Sequence, residues 1–467
     1  MRTDYCTPLD IKEIERNFAD IHPALNPPEA MHEANRCLYC FDAPCTRACP
    51  THIDVPAFIK KIASNNLMGS ARVIFDANPI GATCARVCPV EALCEGACVE
   101  NTLLQKPIEI GRLQRYATDH ALSNERQIYT RGAATGKSVG IVGSGPAGLS
   151  CATYLARLGH DVTIYERREL AGGLDTYGMA EYKMPQSVAL SEADHVQKMG
   201  VTLKTNTQIG TEAGTSDGIN TVAFAELLRD HDAVFLGIGL GATNRLNIPG
   251  EDLDGVYDAL VFIEKVKTRD WQSVPLGKTV CVIGAGNTAV DAVTQAKRLG
   301  ASRVIMVYRR TEKDAPAYDY EMELARMDGI EFSFQSAPVG IISENGKHVS
   351  SLRCERTDGS LELFDIPCDM VIKAVGQTKM ASFFSDVAGV DTDEKGRVKI
   401  NDQMQTSNPK VFAGGDCANG GAEAVDASQM GKIAAMGIHE SITGEKVEFA
   451  GAYIKEPPKA PVDPNPH

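Results

Sequence analysis

The chain has 467 residues, 43% hydrophobic, 23% charged and 6% aromatic, the composition of a globular protein of two or three domains and not of a disordered or fibrous one. Its 47 basic and 61 acidic residues leave a formal net charge of −14, which repels phosphate backbones and anionic lipid and argues against nucleic-acid and membrane partners. No apolar run reaches the ~18 residues that span a bilayer, and Met1-Arg2-Thr3-Asp4-Tyr5 opens no signal-peptide core, so the chain is expected to be cytoplasmic.

In chain order, the first predicted element is a helix with Ile11, Ile14 and Phe18 at i, i+3 and i+7 and charges between them. The cysteines come next. Eight of the fourteen fall between Cys37 and Cys98, whereas Cys6, Cys151, Cys281, Cys354, Cys368 and Cys417 stand singly. One run is Cys37-x2-Cys40-x4-Cys45-x3-Cys49-Pro50 and the other is Cys84-x3-Cys88-Pro89-x4-Cys94-x3-Cys98. Cytosolic thiols stay reduced, so this clustering points to metal binding. Short spacings let a looped backbone wrap several thiolates round one cubane, and in ferredoxin-type runs the cysteine before proline serves the other cluster of a pair. Two [4Fe-4S] clusters that share ligands across the runs are expected. Two four-thiolate zinc sites or a disulfide framework are the alternatives, although paired CxxC knuckles are lacking beyond Cys37 and Cys40. Cys151 and Cys281 read as small buried hydrophobes.

Beyond the linker Arg131-Gly132-Ala133-Ala134-Thr135-Gly136, a β-α-β unit is expected. The strand Ser138–Val142 turns through Gly143-Ser144-Gly145-Pro146-Ala147-Gly148 into a helix ending near Gly159, and the strand Asp161–Glu166 follows. The glycines permit a tight turn and close approach of a pyrophosphate to the helix amino terminus, while the Glu166 carboxylate can accept from ribose hydroxyls. The pattern recurs in the strand Thr279–Ile283, the turn Gly284-Ala285-Gly286-Asn287-Thr288-Ala289, a helix to Gly300 and the strand Arg303–Tyr308. This second strand ends in Arg309-Arg310, whose guanidinium groups suit a 2′-phosphate, so NADP(H) is favoured there and NAD(H) remains open. Two dinucleotide folds with different ribose-reading residues imply two dinucleotides, with flavin plus nicotinamide the economical pair. Two further strand-to-glycine turns follow, Val371 to Gly376 through Ala374, and Lys410 to Gly415-Asp416, where the aspartate could meet ribityl hydroxyls.

With the Gly172-Gly173-Leu174 turn and the segment Arg245-Leu246-Asn247-Ile248-Pro249-Gly250-Glu251, these features resemble the flavin reductases allied to glutamate synthase small subunit and to the amino-terminal part of dihydropyrimidine dehydrogenase. The resemblance runs from about Asn35 to about Ile442, and the segments around Cys37–Thr51 and Asp76-Ala77-Asn78-Pro79 are more similar to the dehydrogenase. It implies FAD, two [4Fe-4S] clusters and a nicotinamide cofactor. It also implies one cluster on Cys37, Cys40, Cys45 and Cys98, and the other on Cys49, Cys88, Cys94 and Gln114, with Cys84 a spare packed thiol. Glutamate synthase carries a glutamate version of the Gln114 position. The stretch to His467 leaves no room for the FMN-binding barrel of full-length dihydropyrimidine dehydrogenase. The expected function is therefore that of an electron-input subunit in a hetero-oligomer, whose FMN-containing partner holds the pyrimidine site. The alternatives are a glutamate synthase small subunit or a scaffold without catalysis of its own. Lys183 resembles a flavin-side segment of the family, or is a solvated lysine.

The expected fold is α/β: an all-helical [4Fe-4S] domain over 1–130, a flavin domain over 137–253 and 370–450, and a nicotinamide domain inserted at 254–369. A proline-rich tail over 451–467 is expected to be disordered.

Overall fold

A computed structural model describes residues 8–124, 126–268 and 271–449, so the proline-rich tail lies outside the described residues. The chain divides into two compact units. The larger holds His22–Thr176, Ser187–Leu240 and the described residues from Lys379 onward. The other holds the described residues up to Ile21 together with Tyr177–Gln186 and Gly241–Thr378.

The larger unit begins with short helices. Pro27–Arg36 starts at a reciprocal capping box between Asn26 and Glu29, Val55–Ala63 is capped by Asp54, and Leu67–Ala77 by Asn66. Their apolar faces meet Ile110–Ser123 over Ala30, Ala34, Phe58, Ile59, Ile62, Ile74, Leu113 and Ala117. The cysteine segments occupy the tight connections, including the five-residue helix Pro44–Ala48 and the helix Gly81–Val87 that delivers Cys88.

The same unit then forms a five-stranded parallel sheet in the order Val411–Ala413, Ala233–Leu236, Ser138–Val142, Asp161–Tyr165, Thr202–Lys204. Its central strands are apolar almost throughout because helices cover both faces of such sheets. Helix Pro146–Arg157 leaves the first glycine turn and packs against the long helix Ala424–Thr443. The backbones come close at Gly431, where a Cβ would run into the Ala147 carbonyl.

The other unit repeats the plan with a parallel sheet in the order Glu331–Ser333, Arg303–Val307, Thr279–Ile283, Met370–Lys373, Val256–Asp258, plus a three-stranded antiparallel sheet, Ser336–Ile342, Ser351–Arg356 and Leu363–Pro367. Two placements differ from the sequence reading. The strand Met370–Lys373 pairs with Thr279–Ile283, so the chain returns to the larger unit at Lys379 and not at residue 370. The helix Ile11–Asn17 packs Ile14 and Phe18 among Tyr182, Phe262 and Trp271, in this unit's core and not among the cysteine-bearing helices.

Candidate functional site

Four thiols come together from distant parts of the cysteine region. Cys37, Cys40, Cys45 and Cys98 line one pocket, together with Leu38, Pro44, Val55, Pro56, Ile59, Val99, Glu100, Ile108 and Ile110. Apart from Glu100 the lining is apolar, and such surroundings discourage the charged form of a thiol. Burial, then the neighbouring Cys98 and Cys37, pushes the Cys45 thiol up to about 12. Iron that binds the thiolates reverses that cost, because the cation supplies the missing countercharge. Among the described residues, no three His, Cys, Asp or Glu side chains converge closely enough to hold a single metal ion, and the four cysteines frame a space. This donor set fits a cluster with a ligand at each corner.

Cys49, Cys88 and Cys94 lie within electrostatic reach of one another. Cys88 is pushed well above the usual thiol range, first by its hydrogen bond with Cys84, then by burial, and then by the charges of Cys84, Cys49 and Cys94. Cys94 is raised by burial, Glu95 and Cys49. Gln114 is buried on helix Ile110–Ser123, and its Nε2 donates to the Gly81 carbonyl at 2.7 Å. With the amide nitrogen so engaged, Oε1 is the atom left to ligate.

At the first glycine turn the glycines serve different ends. Gly143 has φ +96° and faces the Gly237 carbonyl so closely that a Cβ would collide with it, and Gly148 meets the Gly143 carbonyl in the same way. Gly145 is different, because a Cβ there would find nothing nearer than the Gly173 Cα at 3.9 Å. The protein therefore gives no reason for glycine at 145. In front of it, at the amino terminus of Pro146–Arg157, is space that a side chain would enter. The Glu166 Oε2 accepts from the Ser144 amide at 3.0 Å and from its hydroxyl at 2.6 Å, while Oε1 accepts from the Arg168 amide at 2.8 Å. Glu166 thus braces the turn, with both lone pairs of Oε2 engaged and one of Oε1 left for a further donor. Gly173 has φ +59° and Leu174 is exposed beside it. Gly415, with φ +75°, precedes the four-residue helix Asp416–Asn419. Asp416 is raised by burial against the opposing Ala422 amide and Lys379 charge.

The second turn repeats the logic. Gly284, φ +130°, abuts the Ala374 carbonyl, whereas a Cβ at Gly286 would meet only Pro316 Cγ at an ordinary 3.7 Å. Ala285 is buried, Asn287 Oδ1 accepts from the Tyr318 amide at 3.2 Å, and Thr288 is exposed. Arg309 and Arg310 are exposed just past the strand Arg303–Val307, and neither forms an ion pair with another described residue. Ala374, expected in the flavin fold, borders this second turn, and Gly376, expected there too, belongs to the same unit as the turn. Lys183 is not a solvated lysine. Burial opposes its charge, but Asp291, at 2.6 Å, and Glu321 outweigh that and hold the ammonium above its ordinary range.

Family comparisons agree with this geometry. The family model for pyridine nucleotide-disulphide oxidoreductase matches residues 137–431, more than half of the chain, and the model for dihydropyrimidine dehydrogenase domain II, 4Fe-4S cluster, matches residues 14–126. The small chain of NADPH glutamate synthase from Escherichia coli K12 is 35% identical over 462 residues, covering 92% of this chain and 95% of its own length. The NAD-dependent dihydropyrimidine dehydrogenase subunit PreT of the same organism is 34% identical over 433 residues, covering 92% and 98%. Among solved structures, thioredoxin reductase of Lactococcus lactis matches with a TM-score of 0.54 at 24% identity, over 66% of this chain and 100% of that one, a likeness of fold alone. Among the described residues no helix is long and apolar enough to cross a membrane. The chain belongs to the pyridine nucleotide-disulphide oxidoreductase family and is an electron-transferring flavin and iron-sulfur oxidoreductase that uses NAD(P)H.

Proposed function

We propose that the chain is the electron-input subunit of a dihydropyrimidine dehydrogenase, taking a hydride from NAD(P)H onto FAD and passing single electrons through two [4Fe-4S] clusters to an FMN-containing partner that reduces uracil or thymine to the 5,6-dihydro form. Bound FAD supplies the conversion of a two-electron donor into single-electron transfers. The observation that carries this reading is the cavity lined by Cys37, Cys40, Cys45 and Cys98, within the segment matched by the dihydropyrimidine dehydrogenase cluster model.

The residues divide the work as follows. Cys37, Cys40, Cys45 and Cys98 hold one cluster. Cys49, Cys88, Cys94 and the Gln114 oxygen hold the other, and the neutral amide leaves that cluster one negative charge short of an all-thiolate site. Gly145 and the helix amino terminus behind it receive the FAD pyrophosphate, Glu166 its ribose, and Gly173, Leu174, Gly415 and Asp416 the rest of the flavin. Gly286 gives the nicotinamide dinucleotide the same approach, and Arg309 and Arg310 read its 2′-phosphate. In domain terms, the cysteine-bearing helices house the clusters, the first parallel sheet the flavin and the second the nicotinamide. Hydride transfer between two bound cofactors needs no general acid or base from the chain.

The similarity to glutamate synthase small chain supports a second reading, in which the electrons leave to a large amidotransferase. Gln114 supports the first, since the glutamate synthase group resembles a glutamate version there.

Anaerobic assay of the purified holoprotein tests the proposal. Iron and acid-labile sulfide each reach about eight per chain if two four-iron clusters are present. NAD(P)H reduces an artificial acceptor but leaves uracil untouched until an FMN-binding barrel partner is added. Uracil reduction without a partner overturns the subunit assignment, and glutamate formation with a large amidotransferase, but no uracil reduction with the barrel protein, selects the second reading.

A further inference from the structure

The proposed ligand sets place Cys49 at the second cluster, and the residues just after it form a closed turn. The His52 amide donates to the Cys49 carbonyl at 2.9 Å across Pro50 and Thr51, and His52 takes a left-handed φ of +53°. The chain on either side is tied together, since Thr46 Oγ1 accepts from the Val55 amide at 3.1 Å. From the opposite direction, Lys432 Nζ donates to the Thr51 carbonyl at 3.0 Å. Lys432 is wholly buried on helix Ala424–Thr443, its ammonium 5.7 Å from the centre of the Tyr154 ring, and Tyr154 stands on the helix that leaves the first glycine turn.

Thr51 sits inside that turn with no exposed surface. A buried hydroxyl needs a hydrogen-bond partner, and among the described residues the partner of Thr51 Oγ1 is the Cys49 sulfur, at 3.4 Å. While the thiol keeps its proton, either group can donate. Iron binding removes that choice, because a ligating Cys49 has given up its proton and can only accept. The hydroxyl then donates to the sulfur. The pocket of Cys37, Cys40, Cys45 and Cys98 has no serine or threonine in its lining, so the first ligand set lacks this arrangement among the described residues.

We propose that Thr51 is a positioning residue for electron transfer, whose hydroxyl donates a hydrogen bond to the Cys49 sulfur and raises the reduction potential of the cluster that Cys49 holds. The inference rests on Cys49 being a cluster ligand, as in the proposed function. A donor aimed at a ligating sulfur stabilises the extra negative charge of the reduced cluster. With its backbone fixed by Lys432 and by the bond from His52 to Cys49, Thr51 keeps the hydroxyl within reach of that sulfur in both oxidation states.

The test uses the holoprotein and its Thr51→Val, Thr51→Ser, Cys40→Ala and Cys49→Ala variants, with iron and sulfide analysis and potentiometric titration of both clusters followed by electron paramagnetic resonance. Cys40→Ala and Cys49→Ala identify the first and second cluster by the signal each removes. Thr51→Val, which keeps the shape of the side chain and deletes the donor, retains the iron of the parent and shifts the second cluster's midpoint to lower potential while the first stays in place. Thr51→Ser, which restores a hydroxyl, keeps the midpoint near that of the parent. Unchanged potentials with full iron in Thr51→Val overturn the inference, and so does an equal shift in Thr51→Ser, which traces the effect to packing. Loss of half the iron in Thr51→Val also overturns it, because the hydroxyl then holds the cluster and does not tune it. Full iron and sulfide in Cys49→Ala shows instead that the ligand reading itself is wrong.

Discussion

The two glycine turns, Gly143–Gly148 in the larger unit and Gly284–Ala289 in the other, separate what a fold needs from what a ligand needs. In both, the first glycine has a positive φ and lies against a backbone carbonyl, of Gly237 or of Ala374, so the protein itself requires it. In both, the middle glycine has room for a Cβ as far as the protein is concerned. They diverge at the third position and at the strand end. Gly148 is pressed on the Gly143 carbonyl, where the second turn accommodates Ala289. Glu166 is buried and braces its own turn, whereas Arg309 and Arg310 are exposed and unpaired among the described residues. The same motif thus carries, two residues apart, a glycine that the protein's own packing requires and one that it does not, and on the proposed function the second faces the ligand and the strand end distinguishes the dinucleotides.

Four alanine substitutions break that comparison most strongly. Gly143→Ala and Gly284→Ala force a Cβ into a carbonyl at a left-handed φ, and each is expected to cost roughly 3 kcal/mol or more in chemical denaturation. Gly145→Ala and Gly286→Ala should leave the denaturation midpoint within about 0.5 kcal/mol of the parent, since Cβ there makes only ordinary van der Waals contact. Their expected loss is in binding: flavin content for Gly145→Ala and nucleotide affinity for Gly286→Ala. If the middle-glycine variants lose stability but keep their cofactors, the distinction between the two kinds of glycine is wrong.

The next largest effect concerns the strand ends. Replacing Arg309 and Arg310 together by alanine should weaken NADPH by about 1.5–3 kcal/mol, roughly ten- to a hundredfold in KM, and spare NADH. Both side chains are exposed without an ion pair, so their removal leaves no buried charge unpaired to confuse the measurement. Equal losses for the two cofactors would show that these guanidinium groups do not read the 2′-phosphate.

These contrasts also mark how far the sequence could be read. Both β-α-β units were legible because a glycine turn between an apolar strand and a helix leaves a local signature, and the strands Ser138–Val142 and Thr279–Ile283 stand where that signature puts them. Sheet membership was not legible. Met-Val-Ile-Lys at 370–373 has the same apolar character in any parallel sheet, and only pairing shows that it joins Thr279–Ile283. The period of Ile11, Ile14 and Phe18 predicted a helix, but period does not say which core receives it. In the cysteine region, spacing pointed to clusters, yet the convergence of Cys98 on Cys37, Cys40 and Cys45 came from the family resemblance, because residues so far apart in sequence meet only through the helices between them. The burial of Lys183 between Asp291 and Glu321 escaped for the same reason.

The smallest expected effect lies where helix passes to strand behind each turn. In the second fold that passage is Gly300-Ala301-Ser302, without a titratable side chain, and in the first it is Gly159-His160-Asp161. His160 is buried, with Nε2 at 2.9 Å from His439 Nδ1 and Nδ1 at 2.8 Å from Thr135 Oγ1. Burial and the facing His439 lower its pKa from 6.5 to about 4, against the weaker pull of Asp232 and Asp161. The unfolded chain therefore binds a proton at this position that the folded chain refuses, and stability is lost as pH falls from about 6.5 to about 4, then changes no further on this account. The loss should be on the order of 1–2 kcal/mol, less than the whole shift implies because neighbouring charges and solvent screen it. His160→Gln should flatten the fall of the denaturation midpoint over that window while keeping the hydrogen-bonding character of the site. An equally steep fall in the variant would transfer the acid sensitivity to other groups and remove this difference between the two folds.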